Sequence, residues 1–180
     1  MEENRMKRIL SGVLALLIML FSLVGCSNNS QFLAEEDFNV YRDGELYIDI
    51  NDCIGNALGF NEYYDETFRG LKVNDTVTKV KELYGKELIF VKIRETNVTE
   101  KMSVTEFIKT VTDDNYLIRF EKIKIDGKLY NLKQLAEFPA GTKYISKMLS
   151  IRVSGPYVSE IRADYGQFIL DEETKKSING

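Results

Sequence analysis

The chain has 180 residues and no histidine, and its 24 Lys and Arg residues against 28 Asp and Glu residues give a formal net charge of −4. The lack of histidine excludes Ser-His-Asp and Cys-His catalysis and the usual zinc and copper sites. A mildly acidic chain has no basic face with which to hold nucleic acid, so we expect no nucleic-acid partner.

Residues 1–25 have the pattern of a signal peptide. Arg5, Lys7 and Arg8 precede an uncharged, mostly apolar run from Ile9 to Val24. A helix needs ~20 apolar residues to span a bilayer core, and this run of sixteen residues is shorter. A basic start, a short apolar segment and small residues at its end are typical of a secretory signal.

The apolar run ends in Leu23-Val24-Gly25-Cys26, which resembles the lipobox of bacterial lipoproteins. The resemblance implies that the chain is cut before Cys26, whose thiol then carries a diacylglyceryl group. Each buried CH₂ of such a lipid adds ~0.8 kcal/mol of membrane affinity. We therefore expect a lipid-anchored protein on the extracytoplasmic face of the cell membrane. The alternative is an uncleaved N-terminal helix with an incidental cysteine.

The remaining chain is predicted to contain a flexible tether at 26–37, a single domain at 38–173 and a frayed tail at 174–180. About 150 residues are enough to bury a core without disulfides. Cys53 is the one cysteine left after lipidation of Cys26, so we expect no intramolecular disulfide. We expect Cys53 to act as a small buried hydrophobe, with a reactive thiol as the alternative.

The first predicted element of the domain is a hairpin. Asp43-Gly44 is a typical two-residue turn, and it follows a short apolar-rich stretch, Phe38–Tyr41. After the turn, Leu46, Ile48 and Ile50 alternate with polar or aromatic residues, which is the period-two pattern of a half-buried strand.

The segment 51–69 contains the candidate binding residues, because aromatic and acidic side chains lie next to each other at its centre. Amphipathic tyrosines and carboxylates could together face a sugar or a cationic partner. The alternative is a loop whose tyrosines pack on the core. The candidate partner-binding residues are Tyr63, Tyr64, Asp65 and Glu66.

Residues 76–84 are predicted to form an amphipathic helix. Thr76 is a suitable N-cap, and Gly85 is expected to end the helix in the left-handed conformation. Apolar side chains recur on one helical face, at Val77, Val80, Leu83 and Tyr84.

The segment 70–85 resembles the opening motif of the small BamE/SmpA-type lipoprotein domains. Asn74-Asp75-Thr76 stands at the start of the motif, Val80 at the buried helix position and Gly85 at the stop. This chain has Asn74 where glycine is usual, and no proline follows soon after Gly85. The resemblance implies a small domain of helices on an antiparallel sheet, and it says almost nothing about a partner.

Further along the chain, the segment 87–93 is rich in β-branched and aromatic residues, which favour a strand. Its apolar residues fall on both faces, which predicts a central strand. Ser103 and Glu106 have the spacing of a capping box, and the apolar residues that follow predict a second helix over 103–112.

A long strand is predicted over 116–125. Its apolar positions change parity, which indicates a bulge near Glu121-Lys122, and Asp126-Gly127 is a strong hairpin turn. The remaining predicted elements are a short helix over 132–138, a strand over 143–153 and a last hairpin around 163–166.

Together these elements predict an α+β fold, in which a twisted antiparallel sheet of about five to seven strands carries two short helices, 76–84 and 103–112, on one face.

Function is constrained mainly by the absence of nucleophile, phosphate-loop and dinucleotide motifs. We expect a non-enzymatic lipoprotein that binds an envelope protein or a cell-wall component, without a cofactor or metal. One alternative is a cell-wall sugar hydrolase working through two carboxylates. Another is a small ligand-binding lipoprotein associated with transport, for which about 140 residues are too few to build two lobes.

Overall fold

The computed structural model describes residues 32–93 and 98–179. Within these residues, the strands are β1 (Val40–Arg42), β2 (Glu45–Ile48), β3 (Ala57–Gly59), β4 (Leu88–Ile93), β5 (Val98–Ser103), β6 (Asn115–Ile125), β7 (Lys128–Tyr130), β8 (Lys143–Ser154) and β9 (Tyr157–Ile169). The α-helices are α1 (Val77–Tyr84), α2 (Val104–Thr110), α3 (Leu132–Leu135) and α4 (Glu172–Asn179), and 3₁₀ helices lie at Glu36–Phe38 and Ile50–Asp52.

Five antiparallel strands form the main sheet, in the order β3-β9-β8-β6-β7. Strands β1 and β2 pair with each other in a second sheet, and β4 and β5 in a third. The predicted α+β class with an antiparallel sheet is therefore confirmed.

Strand β6 supplies apolar residues to both faces of the main sheet. Ile118 and Phe120 belong to a larger core on one face, here called the first face, and Ile123 and Ile125 belong to a smaller core. Pairing of β6 with β8 is unbroken from Asn115 to Lys124, so the predicted bulge is wrong. Successive residues of a strand point to opposite faces. The change of parity therefore places apolar residues of β6 in two different cores and does not mark a bend.

Helices α1 and α2 pack on the first face, as predicted. Val80 and Tyr84 of α1 and Val104 of α2 are fully buried in the larger core. The smaller core, on the opposite face, is covered by Leu135 of α3 and by Ile178 of α4. Each core therefore covers only part of its face, and polar surface remains beside it.

The predicted helix caps are present. The Thr76 hydroxyl accepts a hydrogen bond from the Lys79 amide, and Ser103 and Glu106 form a reciprocal capping box. Gly85, however, has a right-handed φ of −58°, so the predicted left-handed stop is wrong. A Cβ at Gly85 would collide with the Lys81 carbonyl and the Thr105 hydroxyl, so glycine is required for close approach instead.

Two strand predictions need correction. The segment 87–93 is not central, because β4 pairs only with β5 among the described residues. No hairpin lies at 163–166, because β9 continues through it, with Ala163 opposite Leu149 and Gly166 opposite Ser146. Small residues such as Ala163 and Gly166 are common in turns, which explains the wrong prediction. Here the absence of a side chain at Gly166 leaves room for the Phe168 ring.

The first hairpin has the predicted turn, with Asp43 and Gly44 at φ values of 50° and 80°. Its strand is less buried than the alternation predicts, because Leu46 is 53% exposed. Ile50 is buried, but it lies in a 3₁₀ helix that follows the strand. Cys53 is half-buried and packs against the larger core.

The domain extends beyond both predicted ends. Leu33 and Asp37, assigned to the tether by the sequence, are buried. Leu33 belongs to the larger core, and Asp37 pairs with Arg69. The tail is helical in α4, since Ile178 packs on the smaller core. No helix in the described part of the chain is long and apolar enough to cross a bilayer. The predicted signal peptide and Cys26, the predicted lipidation residue, lie outside the described residues.

Candidate partner-binding surface

The loop that contains the predicted binding residues is fastened to the first hairpin. The backbones of Tyr41 and Glu66 exchange two hydrogen bonds of 2.9 Å, and Glu66 forms a further bridge with Lys72. The loop therefore lies alongside β1 like an additional short strand, although about twenty residues of sequence separate the two.

Asp65 and Glu66 stabilise the loop instead of facing a ligand. Asp65 is 4% exposed, and its carboxylate accepts hydrogen bonds from the Arg42 side chain at 2.6 Å and from the Asn61 amide at 2.8 Å. The Glu66 carboxylate accepts a hydrogen bond from the Gly44 amide at 2.7 Å. Two of the four predicted residues thus have their acceptors occupied by donors of the same chain.

Tyr63 and Tyr64 are on the surface. They are 74% and 63% exposed, and their ring centroids lie 6.3 Å apart. A hydrogen bond to Glu62, together with the charge of that carboxylate, raises the pKa of Tyr63. The alternative in which these tyrosines pack on the core is therefore wrong.

Two further residues join these tyrosines. The Arg42 guanidinium lies 3.4 Å from the centroid of the Tyr47 ring and 5.9 Å from that of Tyr64. Tyr47 is 51% exposed. We call Arg42, Tyr47, Tyr63 and Tyr64 the tyrosine patch.

The hydrogen bond from Arg42 to Asp65, partly opposed by desolvation, raises the pKa of Arg42, so the guanidinium stays charged and held in place. Strand alternation does not single out Tyr47, because Leu46 on the other parity is exposed to the same extent. Nothing local to residues 62–66 indicated that they would meet the hairpin.

The carboxylates Glu121 and Glu87 do not form the open pair that a hydrolase requires. Burial raises the pKa of Glu121, whose carboxylate accepts a hydrogen bond from the Ser146 hydroxyl at 2.8 Å. Glu121 and Glu87 line one cavity, but its volume is only about 50 Å³, whereas ligand pockets usually measure ~300–1,000 Å³. The Glu87 carboxylate also forms an ion pair with Arg69, at 2.7 Å.

Metal binding has no evident centre in residues 32–93 and 98–179, where no group of three or more Cys, Asp and Glu side chains is placed to hold an ion. No family model, curated protein or solved structure matches the chain. The lipobox and the BamE/SmpA-type resemblance therefore stay predictions from the sequence.

Proposed function

We propose that the protein is a lipid-anchored, non-enzymatic binding module on the extracytoplasmic face of the cell membrane, and that its tyrosine patch binds another envelope protein. The observation that carries this proposal is the exposure of three neighbouring tyrosine rings: the Arg42 guanidinium lies against Tyr47 and Tyr64, and Tyr63 lies beside Tyr64. Tyrosine and arginine are the residue types that most often dominate the energetics of protein interfaces.

The patch is organised before any partner arrives. An ion pair with Asp65 holds the Arg42 guanidinium in position, and the guanidinium stacks on the Tyr47 ring. Tyrosine has only two side-chain torsions, so little conformational entropy is lost when its ring is covered by a partner. Preorganisation of this kind lowers the cost of association.

A protein partner fits the patch better than a sugar or a strongly cationic partner. The two carboxylates predicted to face a sugar or a cation, Asp65 and Glu66, already accept hydrogen bonds from Arg42, Asn61 and Gly44. The guanidinium also covers one face of the Tyr47 ring, which a stacked sugar would require.

The proposed anchor keeps the domain near the membrane. Leu33, the first buried residue of the described chain, follows Cys26 by seven residues, and an extended chain of that length spans at most about 25 Å. A partner in the same membrane is therefore within reach of the module.

A site-specific photo-crosslink tests the proposal. A photoreactive phenylalanine at Tyr63 of the full-length protein in its native membrane should give one defined protein adduct. The same group at Tyr157, which is 53% exposed on β9, is the matched control and should not give that adduct.

The captured protein is then purified and its affinity measured. Hot-spot truncations typically cost about 2 kcal/mol or more, so Tyr64→Ala should weaken binding by roughly 30-fold, and Tyr157→Ala should not change it. Identical adducts from positions 63 and 157, equal affinities of the two alanine variants, or wall-sugar adducts alone would contradict the proposal.

A further inference from the structure

Two lysines lie directly opposite each other on the first face of the main sheet, next to the larger core. Lys122 of β6 is the register partner of Lys147 of β8, and Lys122 is only 8% exposed. Like charges directly opposite on neighbouring strands are destabilising, and a buried charge requires a partner. The pair therefore needs an anion.

Glu35 supplies that anion with one oxygen for each lysine. Its Oε1 lies 2.8 Å from Lys122 Nζ and its Oε2 lies 2.6 Å from Lys147 Nζ. Lys122 also donates to the Leu33 carbonyl at 3.2 Å, and Lys147 to the Asn51 side-chain oxygen at 2.6 Å. Burial opposes ionisation of Glu35, but the hydrogen bonds and charges of the two lysines outweigh it and lower its pKa.

The site has more positive charge than Glu35 neutralises. Lys124 follows Lys122 by two residues on the same face, and all three lysines line one cavity of about 380 Å³, in which Glu35 is the acidic lining residue. The Glu35 side chain is 54% exposed, so a competing anion in solution can reach it. We call Lys122, Lys124 and Lys147 the lysine groove.

We propose that the lysine groove is a phosphate-binding site, which Glu35 occupies as an intramolecular substitute when phosphate is absent. Two phosphate oxygens take the positions of the two Glu35 oxygens, and Lys124 contributes the additional positive charge. A phosphate monoester carries about −1.5 to −2 charges at pH 7, against the single charge of a carboxylate. Lysine binds such a group as a mobile point charge.

The phosphate group could belong to a lipid headgroup or to a soluble phosphoester. Glu35 follows Cys26 by nine residues, which places the groove within about 32 Å of the proposed lipid anchor. The headgroup source alone depends on the proposed function, because a soluble phosphoester needs no anchor.

Titration with inorganic phosphate tests the site, using the full-length protein in a non-ionic detergent at constant ionic strength. Glu35→Gln removes the competing charge and should tighten phosphate binding at least tenfold by calorimetry. Lys124→Gln should weaken it several-fold. Lys128→Gln is the matched control, since Lys128 pairs with Ile125 and so lies on the opposite face, and it should have no effect.

Unchanged phosphate affinity in Glu35→Gln would overturn the proposal, as would equal effects of Lys124→Gln and Lys128→Gln. If Glu35→Gln does not fold, the comparison of the two lysine variants in the wild-type background still decides the question, because both side chains lie outside the core.

A second measurement separates the two sources. Lysine acetylation is followed by mass spectrometry on protein in phosphatidylcholine vesicles, with and without phosphatidic acid, and with inorganic phosphate. Selective protection of Lys124 and Lys147 over Lys128 by phosphatidic acid supports a headgroup, and protection by inorganic phosphate alone supports a soluble phosphoester. If neither phosphatidic acid nor inorganic phosphate protects the lysines, the proposed site is wrong. If the protein proves not to be lipid-anchored, the result with inorganic phosphate still stands.

Discussion

Arg69 and Asp37 form a bidentate ion pair, with Nε 2.7 Å from Oδ1 and Nη2 2.9 Å from Oδ2. Arg69 also donates to the Leu83 carbonyl at 2.9 Å and to Glu87 at 2.7 Å, and its guanidinium lies 4.8 Å from the centroid of the Tyr84 ring. One arginine thereby joins the N-terminal segment to helix α1 and the start of β4.

Removing this arginine should destabilise the protein strongly. Arg69→Met leaves Asp37, which is 0% exposed, as a buried charge without its partner, and such losses cost about 3 kcal/mol. For a domain of this size, that corresponds to a fall in Tm of roughly 6–12 °C.

Urea denaturation of the full-length protein measures the effect. The control is Arg152→Met, because Arg152 and Glu160 form an exposed pair at 3.0 Å and exposed pairs contribute at most about 1 kcal/mol. Equal losses of stability in the two variants would show that Arg69 has no special structural role.

Gly85→Ala should also destabilise, against the usual trend for a helical position. Its φ of −58° is ordinary, and alanine would normally stabilise by about 0.4–1 kcal/mol there. The new Cβ would instead collide with the Lys81 carbonyl and the Thr105 hydroxyl, and steric overpacking costs about 1–3 kcal/mol.

The matched control is Gly59→Ala, because a Cβ at Gly59 meets nothing within 4 Å. Thermal unfolding should show a clear fall in Tm for Gly85→Ala and a small change for Gly59→Ala. A more stable Gly85→Ala protein would mean that a Cβ fits at this position beside the Lys81 carbonyl and the Thr105 hydroxyl.

Gly85 illustrates what the sequence could predict and what it could not. Local signals such as Thr76, Ser103 with Glu106, and Asp126-Gly127 depend on neighbouring residues, and they correctly located helix starts and a turn. Part of the reason for Gly85 lies in its contact with Thr105 of α2, twenty residues away, which no local pattern records.

The same distinction applies to the candidate site. The exposure of Tyr63 and Tyr64 was consistent with one of the two interpretations of their sequence, whereas strand alternation did not single out Tyr47. The joining of Tyr47 and Tyr64 by Arg42 depends on a non-local pairing between Tyr41 and Glu66. The occupation of Asp65 and Glu66 by internal donors depends on that pairing as well.

The pH dependence of stability should differ between Glu121 and Glu35. Burial raises the pKa of Glu121 above its usual 4.5, so its contribution is fully present below pH 4.5 and is lost as the pH rises through the raised value. The pKa of Glu35 is lowered, so its contribution is present above pH 4.5 and is lost as the pH falls through the lowered value.

Glu121→Gln should therefore stabilise the protein at pH 7 and have little effect at pH 4, because the amide resembles the protonated acid. Glu160→Gln, at an exposed position on β9, is the control. Denaturant midpoints at the two pH values measure the difference, and a Glu121→Gln effect that is independent of pH would contradict the assigned cause.

The link between Arg42 and Asp65 should appear as a coupling energy. Arg42→Met leaves the carboxylate of Asp65, which is 6% exposed, without its charged partner, and should lower the denaturant midpoint. Asp65→Asn keeps an oxygen that can accept from the Asn61 amide, so we expect a smaller loss.

In the double variant no buried charge is left unpaired, so it should be less destabilised than the sum of the single variants. Partner affinity should nevertheless fall in all three, because Arg42 no longer holds its place between Tyr47 and Tyr64. Chemical denaturation measures the coupling, and binding of the captured partner measures the affinity. Additive stabilities would mean that the 2.6 Å contact between Arg42 and Asp65 contributes nothing to stability. Unchanged affinity would mean that the guanidinium plays no part in partner binding by the tyrosine patch.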